Sequence, residues 1–134
     1  MSGIKVLIVE DEAIVALEMQ DRLQILGYQV CNIASNGEKA IASAEVSSPD
    51  LVLMDVKLKG AMTGIEAAKT IKDKLGIPSV FITAFSDENT LKQIKDHLNY
   101  ECIFKPFEID ELKEAVEKTF KKSSRVIKNF TKLF

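Results

Sequence analysis

Carboxylates, a hydroxyl and an amine stand where short apolar runs of this sequence end. The runs 4–9, 51–54, 80–82 and 102–104 are followed by the acidic triplet 10–12, Asp55, Thr83 and Lys105, respectively. Mg²⁺ takes oxygen ligands and is usually held by one or two carboxylates together with phosphate and water. A carboxylate can also attack phosphorus, and a lysine can neutralise the charge that develops. The pattern predicts a site for a divalent cation and a phosphoryl group.

Strand-like and helix-like segments alternate along the chain and would position these side chains. The helical apolar spacing of Ile14, Leu17, Leu23 and Leu26 predicts a first helix over 13–26, with Gly27 ending it. The other predicted helices are 38–46, 64–75, 87–98 and a last one from 109 onward. The predicted strands are 4–9, 29–33, 51–54, 79–82 and 102–104.

The predicted strands are continuously apolar, which is typical of strands covered on both faces. Right-handed crossovers between them would give an α/β fold with a doubly wound parallel sheet and helices on both faces. Ligands of such sheets bind at the carboxyl ends of the strands, where the strand order reverses. Glu10, Asp11, Asp55, Thr83 and Lys105 all occupy that edge.

Length and composition indicate one ordinary domain. The chain has 134 residues, of which 46% are hydrophobic and 28% charged. No run is long enough to span a membrane, and the N-terminus does not read as a signal peptide. We therefore expect a cytoplasmic protein, with Cys31 and Cys102 as buried thiols rather than a disulfide. Residues 1–118 carry a net charge of −7, from 13 basic and 20 acidic residues, which argues against nucleic-acid binding by the body of the domain.

Four features in this order and spacing resemble the receiver domain of response regulators in two-component signalling, of the chemotaxis-regulator type. They are the acidic triplet, Asp55, the pair Thr83-Ala84 and the pair Lys105-Pro106. The resemblance runs from about residue 4 to residue 120. It implies a flavodoxin-like, five-stranded parallel sheet with strand order 2-1-3-4-5, and a receiver domain over 1–120.

The resemblance also implies a role for each metal-binding residue. Asp55 would be the phosphoacceptor and would also contact a Mg²⁺ or Mn²⁺ ion. Asp11 would bind the ion directly and Glu10 through water. The backbone carbonyl of Lys57 would be a further ligand.

Two other residues would hold the phosphoryl group, according to the same resemblance. Thr83 would bind its oxygens and Lys105 would pair with it. The phosphate would come from the phosphohistidine of a sensor histidine kinase or phosphotransfer domain. Phosphorylation would alter the surface formed by the helix over 87–98, the strand over 102–104 and the last helix.

Two departures from the family pattern affect the expected switch. Receivers usually place a Tyr or Phe three residues before the lysine of the fifth strand, but here that position is Cys102. Tyr100 and Phe104 flank it out of register. In addition, Phe85 stands two residues after Thr83, and we hypothesise that it shields the phosphoryl group from water.

The loop after Asp55 is a third departure. It is one residue longer than the common family loop before Gly64, and Lys59-Gly60 replaces the usual proline turn. We expect this loop to be more mobile than its counterparts.

Three other functions are alternatives to a phosphorylated receiver. A pseudo-receiver that acts as an interaction scaffold without phosphate is favoured by Cys102. A flavodoxin-like cofactor carrier is disfavoured because the acidic triplet would repel a phosphate after the first strand. A haloacid-dehalogenase-like phosphatase would need a second Asp where this chain has Lys57.

Residues 121–134 are predicted to be a basic amphipathic extension of the last helix, or a linker. The extension could contact a second copy of the chain, a downstream domain or an anionic membrane surface. Its apolar stripe would consist of Val116, Phe120, Ser123, Ile127, Phe130 and Phe134, with Lys121, Lys122, Arg125, Lys128 and Lys132 on the opposite face.

Overall fold

The computed structural model describes residues 3–84, 92, 94 and 100–132, with side chains described as far as residue 122. The helix predicted over 87–98 lies largely outside these residues, and Phe85 lies wholly outside them. The strands are β1 (Lys5–Val9), β2 (Gln29–Ala34), β3 (Leu51–Asp55), β4 (Ser79–Thr83) and β5 (Cys102–Phe104). The helices are α1 (Ala13–Ile25), α2 (Gly37–Ser47), α3 (Gly64–Leu75) and α4 (Ile109–Lys132).

The five strands form one parallel sheet in the order β2-β1-β3-β4-β5. This confirms the predicted flavodoxin-like architecture. The chain places β2 on one side of β1 and then crosses back to place β3 on the other side. The strand order therefore reverses between β1 and β3, which is where sheets of this kind bind ligands.

Both faces of the sheet are buried, which explains the continuously apolar strands. Within β1, Val6 and Ile8 pack into a core shared with α1 and α4, whereas Leu7 and Val9 pack into a core shared with α2 and α3. Every residue of β3 and β4 is buried. Each such aliphatic side chain contributes about 1.5–3 kcal/mol by its removal from water. This burial holds the strand ends rigidly in place beneath the site.

The buried face of α1 includes only part of the apolar pattern that predicts the helix. The helix packs on the sheet through Ala16, Met19 and Leu23, at spacings of three and four residues. Of the residues whose spacing predicts the helix, Leu23 is buried and Leu26 packs against the same core, whereas Ile14 and Leu17 are 75% and 55% exposed. Apolar residues occupy both sides of this helix, so their spacing alone could not select the side that packs.

The start of α3 is fixed by a capping box. The Thr63 hydroxyl accepts the Glu66 N–H at 3.1 Å, and the Glu66 carboxylate accepts the Thr63 N–H at 3.2 Å. Two N–H groups that would otherwise lack partners are satisfied in this way. The box sets where the β3–α3 loop ends and places Gly64 directly after it.

Helix α4, with 24 residues, is the longest of the elements described. Leu112, Ala115 and Val116 lie in the core beneath β4 and β5, and Phe120 packs against that core. The predicted stripe beyond residue 122 involves side chains outside the described part, so it stays a prediction, as does a domain boundary at residue 120. Across the part of the chain that is described, no helix combines the length and apolar character needed to cross a membrane.

Candidate functional site

The sheet brings the predicted site residues to one edge. Strand pairing sets Val9 beside Met54, Asp55 beside Ile82 and Thr83 beside Phe104, so four strands end at nearly the same level. Glu10, Asp55 and Lys105 therefore meet across the ends of β1, β3 and β5.

Three carboxylates form the centre of the site. Glu10 is 2% exposed and Asp55 is 7% exposed, while Asp11 is half-buried. One oxygen from each lies within 4.8 Å of the other two. Buried carboxylates at such distances repel one another unless a cation lies between them. Their oxygens are the ligands that Mg²⁺ and Mn²⁺ prefer, so the residues fit such an ion.

Lys105 neutralises part of this charge. Its Nζ donates to Glu10 Oε1 at 2.5 Å and to Asp55 Oδ2 at 3.3 Å. Three carboxylates and one ammonium leave two uncompensated negative charges when all four are ionised. A divalent cation would balance them.

The ionisation of two groups reflects this crowding. Burial, reinforced by the neighbouring Asp55, raises the pKa of Glu10 from 4.5 to about 7, and Lys105 only partly opposes the shift. Burial alone would lower the pKa of Lys105, but its contacts with Glu10 and Asp55 outweigh burial and raise that pKa. Lys105 is therefore positively charged at neutral pH.

Backbone N–H groups orient each carboxylate. Asp11 N–H donates to Glu10 Oε2 at 3.0 Å, and Lys57 N–H donates to Asp55 Oδ1 at 3.2 Å. Lys59 N–H donates to Asp11 Oδ2 at 3.2 Å. These donors could not be predicted from the sequence, because every residue except proline carries an N–H group and no residue type marks them.

Gly64 permits the close approach of α3 to the end of β3. A Cβ atom at this position would lie 1.9 Å from the carbonyl oxygen of Asp55, a distance that only glycine avoids. The Gly64 N–H also donates to the Val56 carbonyl at 3.0 Å. Gly64 therefore lets α3 start directly beside the backbone of Asp55 and Val56.

Thr83 lies at the site edge as the last, buried residue of β4. Its carbonyl accepts the Lys105 N–H at 2.8 Å, which ties the ends of β4 and β5 together. The structure thus sets Thr83 beside the segment that carries Lys105. Contact of its hydroxyl with a phosphoryl group stays a prediction, as does metal binding by the Lys57 carbonyl.

Tyr100, two residues before Cys102, packs against the core under α3. Cys102 is half-buried, and Tyr100 packs edge-on against Phe81 with ring centroids 5.5 Å apart. Phe104 is 40% exposed. Alternation along the strand could have indicated that residues 100, 102 and 104 share one face of the sheet.

Comparison with known proteins decides the family. The family described as the response regulator receiver domain matches residues 6–117. The chain belongs to the response-regulator receiver family. This receiver is 38% identical over 113 residues to the transcriptional regulatory protein PdtaR of Mycobacterium tuberculosis, an alignment that covers 84% of this chain and 55% of that protein. The receiver thus spans about half the length of PdtaR.

Two further relatives match the receiver along nearly their whole length. Sporulation initiation phosphotransferase F of Bacillus subtilis is 34% identical over 120 residues, which cover 88% of this chain and 94% of that protein. The signal receiver domain of a modulated diguanylate cyclase from Desulfovibrio desulfuricans G20 has a TM-score of 0.82 and 33% identity, and the match covers 90% of this chain and 95% of that one. The fold, the acidic site and the family therefore agree, and mark a signalling module rather than a classical enzyme.

Proposed function

We propose that this receiver is a phosphorylation-controlled switch in a two-component phosphorelay, with Asp55 as the phosphoacceptor. The phosphoryl donor would be the phosphohistidine of a sensor histidine kinase or phosphotransfer domain in the cytoplasm. The observation that carries the proposal is the cluster of Glu10, Asp11 and Asp55, whose carboxylate oxygens lie within 4.8 Å of one another beside Lys105.

The transfer requires little from the protein beyond alignment and charge. A carboxylate oxygen of Asp55 attacks phosphorus, the P–N bond to the histidine breaks, and the imidazole leaves with the electron pair of that bond and takes up a proton. Lys105 already contacts Asp55 at 3.3 Å and could follow the negative charge onto the phosphoryl oxygens. Thr83, at the adjacent strand end, would bind a phosphoryl oxygen through its hydroxyl.

The acidic residues would hold Mg²⁺ or Mn²⁺ for this step. Glu10, Asp11, Asp55 and the Lys57 carbonyl are the groups we assign to the ion. When bound, the ion supplies positive charge that offsets repulsion between the phosphoryl group and the carboxylates. Burial of Glu10 and Asp55 makes that charge compensation worth more than it would be in water.

Intact-mass measurement after incubation with acetyl phosphate and MgCl₂ tests this function. The wild-type chain should gain one phosphate, and Asp55→Asn or excess EDTA should prevent the gain. Asp50→Asn is a matched control, because Asp50 precedes the opposite end of β3 and its carboxylate accepts the Lys5 N–H at 2.8 Å. Absence of any gain in the wild-type chain would overturn the proposal.

A phosphate-independent pseudo-receiver is the second candidate. The observation that favours it is Cys102, a half-buried thiol where receivers usually carry the aromatic residue of the switch. In this case the domain would bind its partner equally well with and without phosphate, through the surface that includes β5 and α4. The same mass measurement separates the two functions.

The output of the switch would be a protein contact, and we propose no nucleic-acid binding by the domain itself. A second copy of the chain or a downstream domain could be engaged through α4 and the extension beyond residue 120.

A further inference from the structure

The loop between β3 and α3 holds two of the site carboxylates through alternate backbone N–H groups. Lys57 N–H donates to Asp55 Oδ1 and Lys59 N–H donates to Asp11 Oδ2, both at 3.2 Å. The second bond spans 48 residues of sequence. A proline at position 59, as in the common family loop, has no N–H and could not form this bond. The bond is thus a consequence of the departure that Lys59-Gly60 introduces.

We propose that the backbone N–H of Lys59 is a positioning group for Asp11 and raises the affinity of the site for Mg²⁺. This inference rests on the proposed function, which assigns Asp11 to the metal. A carboxylate has two oxygens, so a hydrogen bond to Oδ2 leaves Oδ1 free for an ion. The half-buried Asp11 side chain is held in one orientation before the ion arrives, which lowers the entropy lost on binding.

Packing contacts and a turn on either side of Lys59 set the position of this N–H group. Leu58 and Met62 pack against the core under α2 and α3, on either side of Lys59. Met62 lies against the first residue of α2, since a Cβ on Gly37 would be 2.7 Å from its sulfur. Between these anchors Gly60 turns the chain with φ of 104°, a conformation that favours glycine. Leu58 and Met62 thus anchor the loop on both sides of Lys59, whose N–H reaches Asp11.

Two substitutions at one position isolate the N–H group. Lys59→Pro removes the side chain and the N–H, whereas Lys59→Ala removes the side chain alone. Mg²⁺ affinity is measured for each variant by NMR titration of backbone amide signals with MgCl₂. Lys59→Pro should weaken Mg²⁺ binding about tenfold, the lower end of the range for groups that orient metal ligands, and Lys59→Ala should bind as the wild type does. Equal affinities of the two variants, or tighter binding by Lys59→Pro, would overturn the inference.

A second measurement keeps the inference testable if Lys59→Pro does not fold. In the metal-free wild-type chain, hydrogen exchange of the Lys59 amide with water should be slower than in Asp11→Ala. The Lys57 amide, which donates to Asp55, should exchange equally in both. If the Lys59 amide exchanges at the same rate in Asp11→Ala as in the wild type, the hydrogen bond to Asp11 is absent in solution and the inference is wrong.

The outcomes also separate this inference from the function on which it rests. If the wild-type chain does not bind Mg²⁺ at all, the proposed function fails first. If it binds Mg²⁺ and Lys59→Pro matches Lys59→Ala, only the positioning role of Lys59 fails.

Discussion

At the residue scale, the site depends on a balance between crowded carboxylates and one ammonium. Lys105 contacts both Glu10 and Asp55, and Glu10 is almost fully removed from water. Buried charges at this density are tolerated only when each has a partner. The metal-free site should therefore be a source of instability that responds to pH.

Glu10 should make the metal-free protein less stable as the pH rises from about 4.5 to about 7. In the folded chain its pKa is about 7, against 4.5 for the group in water. Between these values the folded state binds more protons than the unfolded state, so the free energy of unfolding falls with rising pH. We expect a decrease of roughly 1–3 kcal/mol. Below pH 4.5 the contribution of Glu10 should be constant.

Urea unfolding in EDTA at several pH values measures this effect. Glu10→Gln cannot ionise and should lose most of the decline between pH 4.5 and pH 7. Glu66→Gln serves as a control for removal of a glutamate away from the cluster, and it should keep the slope of the wild type. A slope in Glu10→Gln as steep as that of the wild type would contradict the account.

At the element scale, the position of Asp55 depends on how α3 approaches β3. Gly64→Ala should destabilise the protein by roughly 2–4 kcal/mol and disturb Mg²⁺ binding, because the new Cβ would lie 1.9 Å from the Asp55 carbonyl oxygen. Backbone, unlike the end of a flexible side chain, cannot move away cheaply. Urea unfolding and an Mg²⁺ titration measure both effects.

Gly27→Ala is the control for this substitution. Gly27 has φ of 89°, yet nothing lies within 4 Å of a Cβ built on it. It should cost only about 1 kcal/mol of backbone strain and leave the Mg²⁺ affinity unchanged. Equal losses of stability and affinity in the two variants would show that contact with Asp55 is not the cause.

The meeting of the strand ends could be predicted from the sequence, because parallel strands place their carboxyl ends at one edge. The strand order 2-1-3-4-5 was implied only by the family resemblance. Asp55 and Lys105 thus meet as expected, although 50 residues separate them. The buried side of α1 could not be predicted, since Ile14 and Leu17 are as apolar as the residues that pack. The N–H donors of Lys57 and Lys59 could not be predicted either, because the conformation of the loop, and not the residue type, sets the direction of a backbone N–H.

At the scale of the whole molecule, the C-terminal extension of α4 is the segment that we expect to bind a partner. Helix α4 continues to Lys132, and residues 121–132 extend about 18 Å at 1.5 Å per residue. A solitary segment of that length is marginal as a helix in water, so a packing partner would stabilise it. Its sequence spacing offers apolar residues at intervals of three and four.

We expect the full chain to dimerise through this extension. Light scattering should give twice the chain mass for the full chain at micromolar concentration and the monomer mass for a chain that ends at Lys121. Equal masses for the two would exclude pairing of extensions.

The identity of the phosphorylated residue tests the central claim most directly. Borohydride reduces an acyl phosphate to an alcohol, so phosphorylated Asp55 would become homoserine. Peptide mass mapping after treatment with acetyl phosphate, MgCl₂ and borohydride should find homoserine at position 55, and find it nowhere when MgCl₂ is replaced by EDTA. Reduction at Asp11 or Glu10 instead, or no reduced residue at all, would contradict the account.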